Sequence, residues 1–392
     1  MERPEWTGGG RARLQCGHGQ SFLISLFAIA LTFPAFALAQ VAPTEKPPVF
    51  KEGIVLGEDD LPPLIDLPKF STQSFADDDF DAARAYAKGN YQLARTLATA
   101  QSATSDARAQ YLLGTMLRKG QGGPVESANA VNWYQKAAKG GEVFAWLSLA
   151  EMAFANQGGL AAIDGRPFLL KAAGKGSTEA KIVLGQVFTS GLGGPLDIDQ
   201  AKAWYIKAIF DGSVRAKQLL GNLLFGQSED EEALALYREA ATEGDTRSAY
   251  QAGIILADPE SPLFDQGAAA PLIKQAAMAA LPEAMTAWAI FALQEDPPRP
   301  AEAARWLRKA AQADDGEGQY LYAIAMAKGD GVMMDRETAY EWAVRAVRHD
   351  PKSSDYRALA VALASALPGP VRSRIEEIAK QPLLILSHTA SP

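Results

Sequence analysis

The stretch GLGGPLDIDQAKAWYIKAIFDG, residues 191–212, sets glycines directly before a helix-forming run. That order cradles phosphate in nucleotide-binding proteins, because the free N–H groups of a helix N-terminus attract anions. A phosphate loop, however, follows a strand and closes with Gly-Lys-Ser/Thr, and this one lacks that ending. Histidine offers no more. His18, His349 and His388 are the three present, and none has a partner at the spacing of a metal or catalytic pair. Cys16 is the one cysteine. The acidic groups have local explanations: Ser228-Glu229-Asp230-Glu231 matches a capping box, and Asp77-Asp78-Asp79 suits a helix N-terminus. The sequence therefore predicts no catalytic residue, no metal site and no cofactor.

The elements that must position these residues begin after residue 39. Arg11 and Arg13 precede the uncharged run SFLISLFAIALTFPAFA, residues 21–37, and Ala37-Leu38-Ala39 before Gln40 is the small-x-small pattern of a signal-peptidase site. The run is shorter than the roughly 20 residues a span requires and is broken by Pro34, so a cleaved export signal over 1–39 is expected and no membrane span thereafter. The mature chain would then hold no cysteine, which excludes disulfides and thiol chemistry. Arg3, Arg11, Arg13, Glu2 and Glu5 leave with the signal, moving the formal charge from −8 to −9. An acidic balance of that size opposes nucleic-acid binding.

Self-similarity decides the fold. The alanine after a basic residue recurs as Ala137, Ala172, Ala208, Ala240, Ala276, Ala310 and Ala346. A second marker recurs in step with it as Ala109, Ala145, Ala180, Ala216, Ala249, Ala284 and Gln319. A period near 35 holds two helices of about a dozen residues with their turns. The pairs Gly120/Gly122, Gly191/Gly193 and Gly329/Gly331 fall into this register, each second glycine 11 residues before Trp133, Trp204 and Trp342. Glycines repeated at a fixed distance from an aromatic are turns between helices, which settles the opening stretch as a bend. The column Trp133, Phe168, Trp204, Leu236, Leu272, Trp306, Trp342 and its successor Tyr134, Leu169, Tyr205, Tyr237, Ile273, Leu307, Ala343 are both expected to be core between hairpins. Leu113-Gly114, Leu184-Gly185 and Leu220-Gly221 place a small residue in the first helix, where a neighbouring helix must approach closely.

The pattern A-x-x-x-L-G, G-x-G, A-x-x-W-Y-x-K-A, as in Ala180 to Gly185, Gly191 to Gly193 and Ala201 to Ala208, resembles the Sel1-like repeat family, a subgroup of the tetratricopeptide-type helical repeats. The resemblance covers about 109–347 and implies an all-α, right-handed solenoid of stacked helical hairpins. It also implies a role as an adaptor or regulator that binds proteins.

The organisation expected is a signal (1–39), a proline-rich linker or arm (40–74), an N-terminal capping hairpin (75–108), seven repeats (109–350), C-terminal capping helices (351–380) and a loose tail (381–392). Before the marker alanine stands a cation: Lys136, Lys171, Lys207, Lys309 and Arg345. Cations in a last turn complement the helix dipole, and aligned repeats could also present them as a basic ridge for an acidic peptide or glycan. The leading functional expectation is a non-catalytic periplasmic scaffold or regulatory adaptor with a protein or peptide partner. The alternatives are a secreted binder of host proteins and, last, an envelope enzyme acting on peptidoglycan.

Overall fold

A computed structural model of the chain describes residues 81–381 and Leu383. The signal, the proline-rich arm, residues 75–80 of the capping hairpin and most of the tail, with Asp77–Asp79 and His388 among them, lie outside the described residues. Among the described residues the regular structure is helical throughout, with 18 α-helices, one 3-10 turn at Ala162–Asp164 and no strand.

Two compact units divide the chain, one spanning 59–248 and the other holding 249–392. In the first lie α1 (Asp81–Ala87), α2 (Tyr91–Ser102), α3 (Ala107–Lys119), α4 (Ser127–Lys139), α5 (Val143–Phe154), α6 (Gly165–Gly174), α7 (Thr178–Ser190), α8 (Ile198–Phe210), α9 (Val214–Gly226) and α10 (Asp230–Thr242). The second holds most of α11 (Thr246–Ala257), then α12 (Gln266–Met278), α13 (Pro282–Gln294), α14 (Pro300–Gln312), α15 (Gly316–Lys328), α16 (Arg336–His349), α17 (Ser354–Ser365) and α18 (Gly369–Ala379). Within the units, helices pack in chain order, α3 on α4, α7 on α8, α13 on α14 and α15 on α16. Each pair buries one face against the pair beside it, as in stacked repeats.

The turn that enters each repeat is invariant in length. Marker alanines of the second helices, Ala137 to Ala346, are fully buried. Eight residues after each of the first six lies the first-helix marker of the next repeat, Ala145, Ala180, Ala216, Ser248, Ala284 and Gly318, with Ala109 in the first repeat. The frame corrects two markers, because Ala249 and Gln319 each stand one residue late. Gln319 instead matches Gln110; both send Nε2 to the carbonyl eight residues back, Ala311 at 3.4 Å and Ser102 at 3.3 Å. Four residues past each of the first six alanines the chain turns left-handed, at Gly141, Gly176, Gly212, Gly244, Ala280 and Asp314. The next residue is the N-cap, and Ser177, Ser213 and Asp315 accept from the N–H of Ala180, Ala216 and Gly318. All variation in repeat length therefore falls in the turn between the two helices of a hairpin.

Candidate functional site

The two large residues of each second helix point to different places, which corrects the expectation that both columns are core. Tyr134, Leu169, Tyr205, Tyr237, Ile273, Leu307 and Ala343 are all buried. Trp133, Phe168, Trp204, Leu236, Leu272 and Trp306 are half-buried, and in that column Trp342 alone is buried. Adjacent helical residues are about 100° apart, so only one of the pair can face the partner helix squarely. The buried ring meets the small residue of its own hairpin: a Cβ on Gly114, Gly185 or Gly221 would come within 2.8 Å, 2.3 Å and 2.8 Å of Tyr134, Tyr205 and Tyr237. The close approach expected at Leu-Gly is thus that of the tyrosine.

The half-buried aromatics carry the cations. In the first unit Lys136 Nζ stands 3.8 Å from the Trp133 ring centroid and Lys207 Nζ 3.7 Å from that of Trp204. Lys171 Nζ lies 4.5 Å from Trp146 and 5.6 Å from Phe168, and those two rings stack at 5.9 Å. In the second unit Lys309 lies 4.3 Å from Trp306 and Arg345 5.8 Å from Trp342. Each pair is worth about 0.5–1 kcal/mol at an exposed position. The five cations differ in availability. The four lysines are exposed, whereas Arg345 bonds Glu341 and the carbonyls of Gln381 and Ile378. Arg345 is a fastener between α16 and α18, not part of a free ridge.

Trp146, on α5, is the residue that column reading missed, because it belongs to the first helix and lies outside the tryptophan column. Arg166 was also missed. Buried on α6, it donates to the carbonyls of Val187, Leu192 and Gly194 and lies over the Phe188 ring, so one arginine closes the end of α7 and its turn. Burial lowers its pKa, opposed by Asp197. Arg95 on α2 does the same for the turn after α3, reaching Pro124 O and Glu126.

The glycine turns are mechanical. Gly120, Gly191 and Gly329 are left-handed caps whose N–H groups return to Met116, Val187 and Ala325. A Cβ on Gly122, Gly193 or Gly331 would lie 2.2 Å from Tyr91 O, 2.6 Å from Ala162 O and 2.1 Å from Pro300 O, so the second glycine admits the backbone of the preceding hairpin. The capping box at Ser228 is not formed: the N-cap is Glu229, which bonds Lys202 at 2.8 Å, and Ser228 has φ 64°. Burial pushes the Tyr205 and Tyr111 hydroxyls well above the usual range, with the Tyr134 ring also raising Tyr111, so they stay protonated. Among the described residues no three His, Cys, Asp or Glu side chains form a metal-holding group, and no helix is long and apolar enough to cross a membrane.

The Sel1 repeat family model matches residues 107–142, 178–209, 219–245, 282–315 and 316–350. The chain carries Sel1 repeats in these five places. Between the matched stretches, 143–177 and 246–281 form α5 with α6 and α11 with α12, and Ala145, Ala172, Ser248 and Ala276 keep the Sel1 frame there. The fold is similar to that of c5321, a protective antigen present in uropathogenic Escherichia coli strains and displaying an SLR fold. Identity is 22%, coverage 78% of this chain and 68% of that one, and the TM-score 0.62. It is similar also to a Sel1 repeat protein from Oxalobacter formigenes, at 22% identity, 74% and 89% coverage and a TM-score of 0.60. No curated protein matches the chain. Sel1-repeat folds are typical of protein–protein interaction scaffolds.

Proposed function

We propose that this chain is a non-catalytic scaffold of the bacterial envelope, exported by a cleaved signal, whose lysine–tryptophan face over residues 133–207 takes an acidic segment of a partner protein. The observation that carries the reading is the state of Lys136, Lys171 and Lys207. Each is exposed, and each ammonium rests on a half-buried aromatic ring in a chain of net negative charge. A cation held on a ring loses less rotamer freedom when an anion binds, and the ring leaves one side of the ammonium free for a carboxylate.

Substituting Lys136, Lys171 and Lys207 together by Gln should leave the circular-dichroism spectrum near wild type, lower the melting temperature by only several degrees through loss of the three ring contacts, and abolish cross-linking to the envelope partner in cells. Undiminished cross-linking refutes the face. Export is tested separately: protein recovered from the periplasm should begin at Gln40. Recovery mainly from the culture medium would favour the secreted-binder reading.

A further inference from the structure

In the first unit, the turn at the far end of each hairpin from the lysines carries an apolar residue that the fold leaves uncovered. The residue before the N-cap of a helix often packs against the fourth residue inside it. On α4 and α8 that fourth residue is Ala130 or Ala201, too short to cover a large side chain. Val125 and Leu196 lean only on the turn glycines Gly120 and Gly191, and they stay 61% and 58% exposed. Ile163 holds the same position before α6 and is 64% exposed. Each is followed by an acidic N-cap, Glu126, Asp164 or Asp197. The three turns are neighbours. A Cβ on Gly158, in the turn before α6, would lie 2.8 Å from the Ser127 carbonyl at the start of α4, and one on Gly193, before α8, meets the carbonyl of Ala162 beside Ile163. Arg166 of α6 also donates to Gly194 O at 3.2 Å. Consecutive hairpins therefore present one edge, a row of apolar tips with a carboxylate beside each.

We infer that this edge docks a cationic, aliphatic segment of a partner protein, whose apolar side chains cover Val125, Ile163 and Leu196 while its lysines or arginines meet the carboxylates. Charge selects the occupant. Arg95 and Lys202 are already bonded to Glu126 and Glu229, and Arg166 is buried. Lys119 stands exposed at the end of α3, but Asp199, Glu231 and Glu232, also exposed, bond no cation among the described residues. An acidic row repels an anionic bilayer, and a second copy of this chain would bring a net charge of −8 to it. The edge is separate from the lysine–tryptophan face: Lys207 stands ten residues past Asp197, about 15 Å along α8. Burial of the three tips supplies affinity, and the carboxylates supply the sign of the partner.

The probe is a fluorescein-labelled peptide of four Leu-Lys-Ser triplets, added to the full chain and followed by fluorescence anisotropy. It should bind about tenfold tighter than the Ser-Lys-Ser and Leu-Glu-Ser counterparts, and less tightly as salt is added. Val125→Ser, Ile163→Ser and Leu196→Ser together should lower the affinity about tenfold. Asp164→Asn with Asp199→Asn should flatten the salt dependence; this pair keeps the acceptor for the Ala161 N–H and decides the matter should the triple variant lose helix. Phe210→Ser, at the exposed far end of α8, and the Gln substitutions of Lys136, Lys171 and Lys207 should not weaken binding, so failure of this edge and failure of the lysine face are read apart. Equal affinity for the three peptides overturns the inference, as does equal affinity of the wild-type and triple-Ser chains or an unchanged salt dependence in the Asn pair. Sedimentation with phosphatidylglycerol vesicles that the triple-Ser variant loses would assign the edge to a membrane, and a concentration-dependent dimer lost in that variant would assign it to a second copy; either overturns the inference.

Discussion

Tyr205 and Gly185 set the tolerance of the repeat to a single methyl group. Gly185→Ala gains about 1 kcal/mol of helix propensity but drives a Cβ into the buried Tyr205 ring, and overpacking of that kind costs about 1–3 kcal/mol. A net loss is expected in chemical denaturation. Gly226 is the contrast: it is the last residue of α9, a Cβ there meets nothing within 4 Å, and Gly226→Ala should raise stability by up to about 1 kcal/mol. The neighbouring pair separates the same way. Tyr205→Ala empties a buried site and should cost about 3–5 kcal/mol, and Trp204→Ala, half-buried under Lys207, about 1–3 kcal/mol. Equal losses would return the tryptophan column to the core. The sequence shows both residues as large and apolar at one phase, so their columns are legible and their ranking is not. The signal that separates them is present but easily passed over: Lys207 follows Trp204 at i+3, on the same helix face, whereas Tyr205 pairs with a glycine on another helix.

Turns between helices carry the second level of legibility. Glycine at the left-handed position makes the entry turn readable at Gly141, Gly176, Gly212 and Gly244, while Ala280 and Asp314 hide the same conformation behind ordinary residues. A Cβ at φ 65° is strained, so Ala280→Gly should stabilise the chain by up to about 1 kcal/mol, read as a rise in melting temperature. The two misplaced markers arise here too, since neither turn keeps a glycine followed by an alanine at the expected step. Asp315, the cap after Asp314, adds a pH dependence. Burial raises its carboxyl above the ordinary 3.8, opposed by the Thr286 hydroxyl and the Gly318 N–H, with Glu283 raising it further and His349 lowering it. The folded state therefore holds that proton more tightly than the unfolded one. Stability from it is complete below the ordinary value and lost as pH rises through the folded value. Asp315→Asn keeps the cap and should flatten the decline in melting temperature as pH rises above the ordinary carboxyl value, which a pH series of melts would detect.

At the scale of the whole chain, period and composition make the helical array legible, because every repeat must bury the same face. The partner is not legible, because the columns that recur are those that pack, and the exposed positions carry no mark of what they meet. The same nearest-neighbour construction predicts how damage spreads. Within each unit, packing is between helices close in chain order, so the free energy is a sum of local terms. Tyr205→Ala should then lower hydrogen-exchange protection in α7 to α9 and in the helices packed on them. Protection in α13 to α16, which belong to the other unit, should remain at the wild-type level. A uniform loss across both units would mean that the array unfolds as one cooperative body and that the units of close packing are not units of stability. In that case a core substitution would also weaken any surface used for binding, wherever it lies. The Lys-to-Gln series, which alters no buried contact, is therefore the cleaner probe of the binding face.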